Sequence, residues 1–182
     1  MLLWIVLAIV VVLVLVLITF YNRLVRFRNR VENAWAQVDV QLKRRYDLIP
    51  NLVETVKGYA SHERETFEAV TNARAAAQSA TGPAEQGAAE GLLSAALGRL
   101  IAVAEAYPEL QADENFRQLQ EELAQTENRI AVSRQVYNDT VLTYNTAIQT
   151  VPGVFFAGPF GFTKRDFFEA EDATREAPRV AF

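Results

Sequence analysis

Residues 31–60 read VENAWAQVDVQLKRRYDLIPNLVETVKGYA, and their apolar positions recur at alternating steps of three and four. The stripe runs past both ends of this stretch: Leu24, Arg28, Val31, Trp35, Val38, Leu42, Tyr46, Ile49, Val53, Val56, Ala60, Glu63, Phe67, Val70, Arg74 and Ala77. Thirteen of the sixteen are apolar or aromatic, and Arg28, Glu63 and Arg74 are the exceptions. A period near 3.5 is the signature of helices packed along a seam. Pro50 is the one interruption, and proline normally breaks or kinks a helix. The stripe nevertheless keeps phase across Pro50, and no Gly or Ser loop flanks it. A kink is therefore favoured over a reversal, in which Asp47 would cap a new helix with Pro50 in its first turn.

Toward the N-terminus, Leu2 to Phe20 reads LLWIVLAIVVVLVLVLITF, with Thr19 its single weakly polar residue. A bilayer core of ~30 Å takes about 20 apolar residues as helix, and in lipid a helix satisfies its own backbone whatever its β-branched content. A cleaved signal peptide would need a charged leader, a shorter apolar core and a small-residue cleavage site. None is present, so an uncleaved transmembrane anchor over residues 1–20 is expected. Trp4 at one end, with Phe20 and Tyr21 at the other, suits the two aromatic belts of a membrane interface. Arg23 and Arg26, then Arg28 and Arg30, follow the span, and no base precedes it. This asymmetry predicts a single-pass protein with its N-terminus outside and the remainder in the cytoplasm.

Toward the C-terminus, Thr81–Gly87 reads as a linker, and Leu92, Leu93, Ala96, Leu97, Leu100, Ile101 and Ala104 form a shorter apolar helix ending near Tyr107-Pro108. Asp113 is a good N-cap for the last helix. Its stripe runs Phe116, Leu119, Leu123, Thr126, Ile130, Ser133, Tyr137, Thr140, Tyr144, Ala147 and Val151, and Pro152-Gly153 stops it. Helical segments of roughly 24 to 39 residues joined by short linkers predict an all-α chain. The expected fold is a transmembrane helix followed by an elongated antiparallel bundle of three to four long helices, with a bundle domain over 21–151 and a tail over 152–182.

The composition limits the chemistry. All 18 bases and 22 acids lie after residue 22, and the net charge is −4 with a pI near 5.1, which argues against nucleic acid as a partner. With no cysteine there are no disulfides and no thiol catalysis. His62 is the only histidine and lacks the Glu-x-x-His pairing of di-iron bundles. No phosphate loop, nucleophile elbow or Walker lysine is present. The acids Glu63, Glu65, Glu68, Glu114, Glu121, Glu122 and Glu127 read mostly as solvated helix faces. No enzymatic activity and no cofactor or metal is expected. The basic cluster Lys43-Arg44-Arg45-Tyr46 is read as pairing with acidic faces of the bundle or of a partner.

Two features suggest contact surfaces. Tyr137-Asn138 and Tyr144-Asn145 repeat at heptad spacing, and Tyr21-Asn22 has the same form beside the span. With Trp35 these residues are candidates for a seam between helices or subunits, because buried Asn fixes register and partner number. Satisfied polar groups in the interior of one subunit are the simpler reading. The tail carries Phe155, Phe156, Phe160 and Phe162, which would be poorly soluble if left exposed. It can pack on the bundle, insert at the membrane interface with Lys164 and Arg165 near head groups, or meet another subunit.

With these residues in view, the chain closely resembles the LemA family of bacterial membrane proteins. The resemblance is carried by Tyr21–Val25, Ala34-Trp-Ala36, Asp39–Ala60, Glu105-Ala-Tyr-Pro108, Glu127–Ala131, Tyr137-Asn138, Gly161-Phe162 and the closing Pro178–Phe182. It implies an anchor, a helical bundle and no enzymatic activity, and it places the anchor in the bacterial inner membrane. Some members look like contributors to membrane organelle biogenesis, which by analogy favours scaffolding. The expected function is a membrane-anchored scaffold that self-associates as a homo-oligomer and organises or shapes the bilayer. The alternative is a cytoplasmic docking adaptor for a membrane-protein partner, such as a protease or envelope-stress component.

Overall fold

The computed structural model describes residues 1–169; residues 170–182, with the Pro178–Phe182 run, lie outside the described residues. The chain is all-α, and no strand occurs among the described residues. The helices are α1 Leu2–Tyr59, α2 Arg64–Ser79, α3 Pro83–Glu105, α4 Pro108–Ala112, α5 Glu114–Gln149 and α6 Gly153–Ala157. Two compact units are formed, one from Met1–Gln37 with Gln135–Arg165, the other from Val38–Arg134 with the segment from Asp166.

In the first unit, every side chain from Leu2 to Thr19 is exposed within the chain. A helix that is apolar all round is stable only in apolar surroundings, and this one is long enough to cross a membrane. It marks the protein as membrane-associated. Beyond it, Leu24, Val31 and Ala34 of α1 are buried, as are Tyr137, Val141, Tyr144 and Ile148 of α5. The Trp35 and Tyr137 rings lie 5.2 Å apart, and Tyr144 feels the charges of Arg28 and Glu32. Numbers rise on one helix as they fall on the other, so the pair is antiparallel. The buried face of α5 drifts from the expected stripe to Val141, Asn145 and Ile148, because 3.6 residues per turn outruns a 3.5 repeat. Val151, placed on that stripe by the sequence, lies beyond the helix end and is exposed. The turn that follows is tight: a Cβ on Gly153 would strike the Ala147 carbonyl.

The second unit is built on Leu42, Ile49, Leu52 and Val56 of α1, Val70 of α2, Leu93 and Leu100 of α3, Leu110 of α4 and Phe116 of α5, all buried. Each such side chain contributes about 1.5–3 kcal/mol of apolar transfer. Asp113 caps α5 as expected, its Oδ1 accepting the Phe116 N–H at 2.9 Å, and the Tyr59 hydroxyl donates to its Oδ2 at 3.0 Å. These two bonds, the Phe116 one first, hold the Asp113 carboxyl below its ordinary value. Gly87 is buried where a Cβ would meet the Glu169 carbonyl.

Two boundaries differ from the sequence reading. The stripe from Leu24 to Ala77 belongs to two helices, since the chain turns at Ala60–Glu63. Gly58 and the polar Ser61-His62 weaken the helix there, and both helices bury the same stripe, so the phase conceals the turn. The linker is also shorter than Thr81–Gly87. Gly82 takes a left-handed φ of 81°, and Pro83 at the first helical position starts α3 at once.

Pro50 does not reverse the chain, because α1 runs through it. A proline here leaves the Tyr46 carbonyl, four residues earlier, without its helical donor. Arg74 of α2 supplies the substitute: its Nε–H donates to that carbonyl at 2.9 Å. Replacing Arg74 with Met is expected to cost about 1–3 kcal/mol, the penalty for a stranded buried acceptor. The loss should shrink when Pro50→Ala restores the backbone donor, as a urea-denaturation double-mutant cycle would show. Equal losses in both backgrounds would mean that Arg74 acts through packing instead.

Candidate functional site

The residues singled out by the sequence gather in the first unit. Trp4 is exposed near the start of the span, Phe20 is half-buried, and Tyr21, Arg23 and Arg26 are exposed just after it. The Arg23 and Arg30 guanidinium groups lie 5.3 and 5.8 Å from the Phe27 ring centroid, a cation–π arrangement. Tyr21 meets Phe160 and Phe162 edge-on, with centroids 5.3 and 5.7 Å apart. Phe162 is buried, with Arg28 5.5 Å from its centroid. Phe156 is half-buried, whereas Phe155 and Phe160 are exposed.

The second Tyr-Asn pair holds the returning tail. Asn145 Nδ2 donates to the Arg165 carbonyl at 2.8 Å, and its Oδ1 accepts the Arg165 N–H at 2.9 Å. The side-chain amide thus imitates a strand partner for one residue. The Tyr144 hydroxyl donates to the Thr163 carbonyl at 2.9 Å, and Arg165 pairs with Glu32 at 3.3 Å. Burial pushes the Tyr144 phenol up, against the opposing pull of Arg165 and Arg28. Tyr137 is buried against the half-buried Trp35, and Asn138 is half-buried. Asn145→Leu is expected to free both Arg165 backbone groups. Hydrogen exchange at the Arg165 amide should then quicken markedly, with a loss of only about 1 kcal/mol in global stability because the freed groups reach water. Unchanged exchange there would refute this clamp.

A second cluster, in the other unit, escaped sequence reasoning. Arg45 is 2% exposed and Glu90 4%. Arg45 Nη1 donates to Glu90 Oε2 at 2.6 Å and Nη2 to Ser94 Oγ at 2.8 Å. Glu127 Oε1 lies 2.8 Å from Arg45 Nε. The Tyr46 hydroxyl donates to Glu90 Oε1 and accepts from Gln86 Nε2 at 2.8 Å. Gln86 Nε2 also reaches the Ala77 carbonyl at 2.9 Å. Burial first, then the bond to Glu90, pushes the Tyr46 phenol well above its ordinary value. The basic cluster therefore pairs within the bundle, as one of its two readings expected; Arg44 also lies 4.0 Å from Glu122, and Lys43 pairs with Asp39 at 2.9 Å. Glu127, assigned by sequence to a solvated face, is a member of this network. The available signal was spacing, since Gln86, Glu90, Leu93, Leu97 and Leu100 form one stripe on α3.

Burial raises the Glu127 carboxyl above its ordinary value of 4.5, partly opposed by Arg45. The folded state then holds the proton more tightly than the unfolded chain does. The stabilisation from this group is full below pH 4.5 and fades as pH rises through the higher folded value. Glu127→Gln should flatten that limb when urea midpoints are followed upward from pH 4.5. An unaltered profile would show that Glu127 does not titrate in the fold.

Both clusters bind backbone or close internal charges, and neither joins a nucleophile to a base. Among the described residues no group of three His, Cys, Asp or Glu side chains is placed to hold a metal. His62 is exposed in the turn before α2. An open cleft of about 330 Å³ in the second unit is lined by Ile101, Ala104 and Phe116, with Glu105 and Arg117 the charged side chains among its described lining residues.

Fold and clusters define a membrane-associated helical protein whose polar chemistry is turned on its own helices. The chain belongs to the LemA family, whose model matches residues 34–182. It is similar to magnetosome protein MamQ 2 of Paramagnetospirillum magneticum, with 28% identity over 190 aligned positions, covering 90% of this chain and 70% of that one. Magnetosome protein MamQ of Magnetospirillum gryphiswaldense is 28% identical, over 84% of this chain and 66% of its own. Protein LemA of Metamycoplasma hominis is 26% identical, over 71% of this chain and 59% of its own.

Proposed function

We propose that this chain is a non-enzymatic, membrane-anchored scaffold that self-associates and thereby organises or shapes a bilayer. The observation that carries the reading is α1 itself. One helix, Leu2–Tyr59, begins as an exposed apolar span and continues as the wall of a packed core. Such a helix transmits position between lipid and protein surface without a linker between them. In the first unit Val136 and Leu142 are left exposed on α5 and offer apolar contacts to a second copy. The relatives named as magnetosome proteins support a structural role by analogy only. The proposed location is the bacterial inner membrane in single-pass form, the Arg-rich flank keeping the bundle in the cytoplasm.

Native mass spectrometry of the full chain in detergent or nanodiscs tests the proposal. Discrete multimers are expected, and a strictly monomeric protein would overturn it. The adaptor reading draws less support, because Arg45, the centre of its basic cluster, is enclosed by Glu90 and Glu127. One stoichiometric foreign partner recovered by crosslinking in cells would favour it.

A further inference from the structure

The tail divides its aromatic residues between two faces. Phe162 and Ala157 are buried. Val151, Val154, Phe155 and Phe160 point outward, with Val151 74% and Phe155 68% exposed. This outward face is joined to the base of the apolar span, because the exposed Phe160 stacks edge-on against Tyr21, one residue past Phe20. Helical side chains lean toward the N-terminus, so the Tyr21 ring leans back toward the span and sets Phe160 at about its level. A head-group layer reaches about 5–7 Å beyond the hydrocarbon, which is the reach of one aromatic ring.

Charge follows the same division. No charged residue occurs from Met1 to Asn22 or between Asp139 and Lys164. Arg23, Arg26, Arg28 and Arg30, with Lys164 and Arg165, stand behind these uncharged stretches; six bases there face two acids, Glu32, which pairs with Arg165, and Asp166. Apolar rings in front of a cationic ring is the arrangement of an interfacial element on an anionic bilayer.

We infer that the turn Val151–Phe162 is a second membrane-contacting element, seated in the head-group layer beside the α1 span with Phe155 and Phe160 inserted. The inference rests on the reading of Leu2–Phe20 as a span. Asn145 and Tyr144, by holding Arg165 and Thr163, fix the element against α5. The bilayer contact is then a two-point one, which sets the rotation of α1 about its own axis as well as its depth.

The absence of cysteine allows single-site labelling of the full chain. Phe155→Cys, Val10→Cys and Asn33→Cys would each carry an NBD fluorophore in vesicles of phosphatidylcholine and phosphatidylglycerol. All three positions are exposed, so the substitutions leave the interior intact. Asn33 lies about 18 Å along α1 from Tyr21 and serves as the aqueous control. The Phe155 label should be blue-shifted and lose emission most to a nitroxide near the lipid head group. The Val10 label should lose most to a nitroxide near the chain end, and the Asn33 label should respond only to iodide. A Phe155 label open to iodide, or shielded from both iodide and nitroxide lipids by a second copy, would overturn the inference while Val10 remained in lipid. A Val10 label open to iodide would overturn the span itself.

Discussion

Replacing Glu90 with alanine is expected to lower the unfolding free energy by about 3–5 kcal/mol, because it leaves a buried charge without its principal partner. Arg45 is 2% exposed and would retain only Ser94 and the contact from Glu127. The Tyr46 hydroxyl would lose its acceptor in the same step. Urea denaturation followed by circular dichroism in micelles measures the change. The cause is separable from packing. An Arg45→Met/Glu90→Leu double variant removes both charges and fills their volume, and such replacements of buried pairs are often neutral. It should recover most of the loss. A double variant as unstable as Glu90→Ala would show that the geometry of the network, not the stranded charge, carries the cost.

Much of the architecture could be read from periodicity, because both the span and the buried stripes are one-dimensional patterns. The three charged exceptions on the stripe are where tertiary structure intrudes. Arg28 lies over the Phe162 ring, Arg74 completes the backbone that Pro50 leaves open, and Glu63 sits in the turn before α2. The first two of these reasons are not local. The partner of Arg28 is in the tail, and that of Arg74 is the carbonyl of Tyr46 on another helix. For the same reason the Arg45–Glu90 pair was invisible, since 45 residues, including the whole of α2 and the turns on either side of it, separate the two in sequence. The tail posed a different problem. The four Phe residues between positions 155 and 162 are alike in composition, and only the fold separates buried Phe162 from exposed Phe155 and Phe160.

Tyr137→Ala should cost about 3–5 kcal/mol, the loss for a fully buried aromatic side chain. Trp35→Ala should cost clearly less, although tryptophan is the larger residue. Sequence alone would reverse the order, because Trp35 stands at the centre of the first stripe and Tyr137 in a polar repeat. Tyr137 is 2% exposed, whereas Trp35 keeps part of its surface in water. The transfer term follows the area removed from solvent, so water already claims part of the indole's contribution. The tilted rings, 5.2 Å apart, add a coupling of about 0.5–1.5 kcal/mol beyond burial. A double-mutant cycle on thermal unfolding reads that coupling directly. A Trp35→Ala loss equal to that of Tyr137→Ala would mean that the exposed part of the indole is covered in solution, as it would be if α1 were an interface between copies.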